Sequence, residues 1–210
     1  MKGLEIYPDT LDAQSCNYLI NLFNNDDRKT QGETADGIYE ERKKSTDLYC
    51  NLDDPQWIEY NKIVAPAVLS MVNKFKYQYQ FLNHCAPWQT HRHYNIQYYG
   101  DGEGYFLPHC EHSAANPNRM IAWMIYLNTA QCGTEFPYQQ IKVRALQGQG
   151  AMWSAGWTHP HKGVTPNVGD KYIVTGWCNY YKKNYITDPP KDLPHLSPQW
   201  ISKDVRGDTN

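Results

Sequence analysis

Apolar residues recur along this chain at two different periods, and the period changes once. Between residues 11 and 23, Leu11, Cys16, Leu19, Ile20 and Phe23 share one helical face, with Asp12 placed to cap the first turn. A second helix is predicted from about Pro55 to Val72, where Trp57, Ile58, Ile63, Val64, Ala67, Val68 and Met71 repeat at helical spacing. Pro66 inside that run lacks a backbone N–H and is expected to kink or split the helix. Beyond Val72, Phe75, Tyr77, Tyr79 and Phe81 alternate with Lys74, Lys76, Gln78 and Gln80, the period of a strand that buries one aromatic face. From there to Tyr181 the segments HYNIQYY, RMIAWMIYLN, GTEFPY, IKVRAL, GAMWSA and KYIVTGWCNYY read as strands parted by Gly, Pro and Asn turns. The expectation is an α+β chain, mainly β, with a helical part over about 1–73 and a β core over about 74–181. Strands this short suit a barrel or a sandwich, and pattern alone does not separate the two.

Composition narrows the picture. A chain of 210 residues suffices for one domain with a substantial core, assigned here to 1–190, and the Pro-rich polar stretch at 191–210 reads as a surface-wrapping or mobile tail. The 17 Tyr and 7 Trp bring polar tips that need partners, which favours a barrel around a polar ligand over a dry helical bundle. With a formal net charge of -2 and both signs interspersed, no basic stripe is offered to nucleic acid or to an anionic membrane. The first residues show no basic segment leading into an apolar one, and no apolar run reaches spanning length. Six cysteines lie scattered without a CxxC pair, so they are read as reduced thiols in a cytoplasmic protein.

The densest set of possible ligands is YYGDGEGYFLPHCEHS, in which His109 and Glu111 are two apart and would project from one side of a strand. With 8 His and 22 acidic residues in the chain, about one such pair arises by chance, so the triplet alone is a poor signal. A second source changes the odds: WTHPHKGVTPNVGDKY carries His161 and, ten residues on, Lys171 at the start of a strand. Two His and one carboxylate form the facial triad of non-haem iron(II) oxygenases, which leaves half of the coordination sphere open to other ligands. Lys171 shares its strand face with Ile173, Thr175 and Trp177, giving a pocket wall with a cation, a hydroxyl and an indole.

These residues fall in a recognisable order. Tyr99, Gly102, Gly104 and Phe106 lead to His109 and Glu111; Arg119 precedes Met124–Ile125–Tyr126–Leu127–Asn128; then come Gly133, Thr134, Glu135, Phe136 and Pro137, and finally Trp153, His161, Lys171 and Trp177. In this order, over roughly residues 5–181, the chain resembles the prolyl 4-hydroxylase branch of the 2-oxoglutarate oxygenases. The resemblance implies a double-stranded β-helix of the jelly-roll or cupin kind, Fe(II) on His109, Glu111 and His161, and 2-oxoglutarate touching Tyr99, Tyr126 and Lys171. It places Arg119 and Trp177 in the substrate groove, and implies O2 as co-substrate, ascorbate as reductant and a prolyl residue of a peptide or protein as acceptor. The family usually has Asp where this chain has Glu111, one methylene longer.

Other readings stay open on the residues alone. His159 lies two before His161 and could share its face, while His112 would point away from Glu111. His84, His91, His93 and His195 have no partner at ligand spacing, and Cys110 is read as packing. A cupin-like module binding a metal or small ligand would need His109, Glu111 and His161 but not Lys171. An oxygenase acting on a small molecule would need all four. Oxidative demethylation of nucleic acid finds no basic groove to support it.

Overall fold

The computed structural model describes residues 3–165 and 169–180; the tail at 191–210 and His195 lie outside the described residues. In chain order the elements are β1 (Leu4–Tyr7), α1 (Ala13–Asn24), β2 (Thr30–Gln31), β3 (Lys43–Lys44), β4 (Thr46–Asn51), α2 (Ile58–Gln78), β5 (Trp88–Tyr99), β6 (Gly104–Tyr105), β7 (Arg119–Tyr126), β8 (Gly133–Phe136), β9 (Ile141–Arg144), β10 (Gly150–Ser154), β11 (Lys162–Val164) and β12 (Lys171–Tyr180). All strand pairings are antiparallel: a large sheet in the order β1-β10-β7-β12-β5-β4-β2, a small sheet β11-β8-β9 and the pair β3-β6. Together they form a double-stranded β-helix with two helices on its outside.

The period-two pattern of the large sheet separates two cores. On one side Tyr94, Ile96, Ile121, Trp123, Ile125, Met152 and Val174 pack against Cys16, Leu19 and Phe23 of α1 and Val64, Val68 and Met71 of α2. On the other side Tyr99, Ala122, Met124, Tyr126, Trp153 and Ile173 meet Phe136 and Val143 of the small sheet. Each apolar side chain so buried is worth roughly 1.5–3 kcal/mol, so the strands have no freedom to slip by one residue and exchange faces. Gly133 sits where the small sheet is tightest: a Cβ there would lie 1.9 Å from the Val143 carbonyl oxygen.

The helices depart from expectation in informative ways. The first forms as predicted, with the Asp12 side chain accepting from the Ser15 N–H at 2.7 Å. The second neither splits at Pro66 nor ends at Val72, but runs unbroken to Gln78. Pro66 and Lys62 are both exposed, so the Lys62 carbonyl that loses its helical donor faces water. The strand expected over residues 74–81 is instead the end of this helix, to Gln78, followed by a 3-10 turn over Gln80–Asn83. Its alternation coincides with a helical stripe through Val68, Met71, Val72 and Phe75, whose ring centroid lies 4.7 Å from that of Tyr79. Tyr77 and Phe81, expected inside, are exposed. The first 73 residues are also not purely helical, since β1 pairs with β10 and β4 with β5, widening the large sheet at both edges.

Candidate metal centre

His109 and Glu111 do not lie on a regular strand. The segment is fixed by a two-way backbone bridge, His109 N–H to the His161 carbonyl at 2.9 Å and His161 N–H to the His109 carbonyl at 3.0 Å, which sets the two imidazoles side by side. Glu111 is tied separately, its N–H donating to the Ala155 carbonyl at 3.1 Å just past β10. One ligand atom from each of His109, Glu111 and His161 lies within 4.8 Å of the others, the only such group of three among the described residues. His161, not His159, thus completes the cluster. His159 is buried beside Gly3, with its Nδ1 at 2.9 Å from the Thr158 hydroxyl, and His112 is exposed.

The rings present their metal-binding side inward. Nδ1 of His109 faces the Leu107 carbonyl at 3.2 Å and Nδ1 of His161 faces the His159 carbonyl at 3.1 Å. A carbonyl only accepts, so each Nδ1 carries the proton and each Nε2 keeps its lone pair for a metal. These Nε2 atoms lie 3.6 and 3.3 Å from the same Glu111 oxygen, Oε1. Two donors about 2.1 Å from one ion and at right angles are about 3 Å apart, so the three residues fit a common face of an octahedron with a slight contraction. Tyr105 stacks on His109 at 3.6 Å between centroids, and Trp153 and Phe136 pack on His161, so neither ring can swing out. Burial lowers the pKa of His109, which keeps that ring neutral, as a ligand must be.

Beside the triad opens a cavity of about 990 Å³. Lys171 stands in its wall, 2% exposed, with Nζ 4.3 Å from the Tyr99 ring centroid and, among the described residues, one long hydrogen bond, 3.4 Å, to the Val164 carbonyl. No carboxylate pairs with it among the described residues, and burial pushes its pKa down to about 8. Such a cation asks for an anion. Tyr99 lines the cavity and donates to Gln97 at 2.9 Å, whereas the Tyr126 phenol reaches it through Thr134, a lining residue 2.7 Å away. Arg119 and Trp177 line it as well, and both reach Glu111: Arg119 donates at 3.0 Å and the Trp177 indole N–H at 2.8 Å, each to Oε2.

Three features here escape sequence reading. Thr134 was placed only as part of a strand motif. His91 and His93 line the mouth of the cavity. Lys43 and Asp47, both buried and 2.5 Å apart, form a polar wall in which Asp47 also accepts from Ser45 and Gln97. The one available signal for that pair was two opposite charges four residues apart, which is commonplace on a surface.

Residues 94–179, which include all three cluster residues and Lys171, match the 2OG-Fe(II) oxygenase superfamily. No curated protein sequence matches the chain. Among solved structures it is similar to the viral collagen prolyl hydroxylase of Paramecium Bursaria Chlorella virus-1 in complex with 2OG, at 18% identity and TM-score 0.62, over 86% of this chain and 97% of that one. A prolyl-4-hydroxylase of Pseudomonas putida superposes with TM-score 0.66 at 16% identity, covering 84% and 92% of the two chains. A prolyl hydroxylase of Trichoplax adhaerens, solved with a hypoxia inducible factor peptide fragment, gives TM-score 0.67 at 16% identity over 90% and 89%. Residues 94–179 thus carry the pattern of the 2OG-Fe(II) oxygenase superfamily. The chain as a whole shares the fold of the prolyl 4-hydroxylases.

Proposed function

We propose that this protein hydroxylates an unactivated C–H bond, that of a prolyl residue in a peptide or protein, using Fe(II) on His109, Glu111 and His161 and 2-oxoglutarate anchored by Lys171. The observation that carries the reading is the buried Lys171 ammonium, paired with no carboxylate among the described residues, in the same cavity as the triad. When bound, the iron supplies oxidation of the C–H bond coupled to decarboxylation of 2-oxoglutarate to succinate and carbon dioxide.

The chain's own residues bind, orient and exclude water. Lys171 neutralises the far carboxylate of the oxoacid while Thr134 and Tyr99 border its chain. Glu111 and Arg119 offset each other's charge, so two neutral imidazoles and Lys171 leave the site net positive towards a dianion once the metal is in place. Met124, Ile173 and Trp153 supply the apolar wall, which keeps the site dry. No side chain is required as general acid or base. The mouth near His91 and His93 admits the acceptor. Ascorbate as reductant, a cytoplasmic setting and a single catalytic domain over 1–190 belong to the same proposal.

The experiment is 2-oxoglutarate turnover by purified protein with Fe(II) and ascorbate, first alone and then against a panel of proline-containing peptides. Succinate formation stimulated by one peptide, with a mass gain of one oxygen on its proline, supports the reading. Stimulation by small molecules only would move the acceptor to that class, and absence of succinate under every condition would remove the oxygenase assignment.

A further inference from the structure

Glu111 is held by both of its oxygens, and differently by each. Oε1 faces the two imidazoles, while Oε2 accepts from the Trp177 indole N–H at 2.8 Å and from Arg119 at 3.0 Å. The two donors brace one another, with the Arg119 guanidinium carbon 3.6 Å above the Trp177 ring.

Their convergence is built into the sheet. The β7–β12 register runs regularly from Ile173↔Tyr126 to Cys178↔Ile121 and then skips Met120, pairing Asn179 with Arg119. Without that bulge, alternation would put Met120 on the cavity face beside Ala122. Instead Met120 and Ile121 both pack toward the helices, and Arg119 is turned into the cavity.

We propose that Trp177 and Arg119 are positioning residues that occupy the outer oxygen of Glu111, so that an acid one methylene longer than the family's usual one offers the metal a single oxygen. This rests on the reading of His109, Glu111 and His161 as ligands. A free glutamate arm could swing to chelate with both oxygens and take a position needed by the oxoacid or O2; with Oε2 committed to two donors, it cannot. These two side chains, which also line the cavity, thereby have a role toward the metal ligand.

The test is anaerobic titration of wild type, Trp177→Phe and Arg119→Leu with Co(II), which reports coordination number through its visible absorption. Each substitution is expected to weaken Co(II) binding about 10- to 100-fold, the usual effect of removing an outer partner of a ligand. The absorption of the bound ion should change as Oε2 becomes free to replace a water in its coordination sphere. Arg119→Lys, which keeps a donor, should recover part of the affinity, and circular dichroism of the metal-free variants should match wild type. If both variants bind Co(II) with wild-type affinity and spectrum, the proposal is overturned while the ligand reading stands. Loss of the metal-free fold in parallel with affinity would mark the pair as merely structural and overturn it too. Failure of wild type to bind Co(II) would overturn the ligand reading together with this one.

Discussion

At the scale of single residues, what could be read from the sequence was what chemistry repeats at short spacing. His109 and Glu111 are two apart, and His161 and Lys171 ten apart; neither pair is decisive alone, but the two together match one metal-site pattern. What could not be read was contact across long separations: Trp177 meets Glu111 across 66 residues, and no pattern within either segment points to the other. Lys171 yields the sharpest residue-level prediction. Charge-assisted hydrogen bonds contribute about 1.5–3 kcal/mol, so Lys171→Ala should weaken 2-oxoglutarate binding roughly 10- to 100-fold with metal content intact, and Lys171→Arg should do less harm. The pH dependence follows from the lowered pKa. Only the protonated amine attracts the oxoacid, so affinity measured by titration should hold below about pH 8 and fall as pH rises beyond it. The linked stability effect has the opposite sign. Between pH 8 and 10.5 the unfolded chain binds the proton that the folded one has lost, so this group makes the ligand-free protein more stable as pH rises through that window.

At the scale of elements, strands were easier to place than the end of a helix. The six β segments read between Gly, Pro and Asn turns all contain strands, because each must satisfy a core on one or both faces. Residues 74–81 misled because KFKYQYQF satisfies both periods at once. Which period governs was decided by the preceding apolar stripe, which had already committed the backbone to a helix. Two further strands of the large sheet were missed: β1, at one edge, has only four residues, and β4, between β5 and β2, buries the charged Asp47 beside Leu48 and Cys50, so burial there does not follow polarity. Urea unfolding separates the two readings of residues 74–81. Phe75→Ala should cost roughly 3–5 kcal/mol as a buried aromatic, while Tyr77→Ala, at an exposed position, should stay within about 0.5 kcal/mol. Equal costs at both positions would fit a strand instead.

At the scale of the whole molecule, one large sheet serves two purposes. One face carries the helices and most of the apolar packing; the other, closed by the small sheet, holds a cavity whose polar groups converge on His109, Glu111 and His161. The double-stranded β-helix was legible only through resemblance, because alternation alone fits a barrel and a sandwich equally. The proposed cytoplasmic setting is testable through the thiols. Burial raises Cys16 to about 11 and Cys50 and Cys178 to about 12, so in native protein these should resist a thiol reagent, with Cys85 and Cys110 reacting first. All six should react after denaturation without reductant, and a bridge in freshly prepared protein would count against that setting. The most direct test of the central claim is the Fe(II) retained per chain after anaerobic loading and gel filtration, in wild type, His161→Ala and His159→Ala. The account predicts one iron per chain in wild type and in His159→Ala and none in His161→Ala; iron kept by His161→Ala and lost by His159→Ala would contradict it.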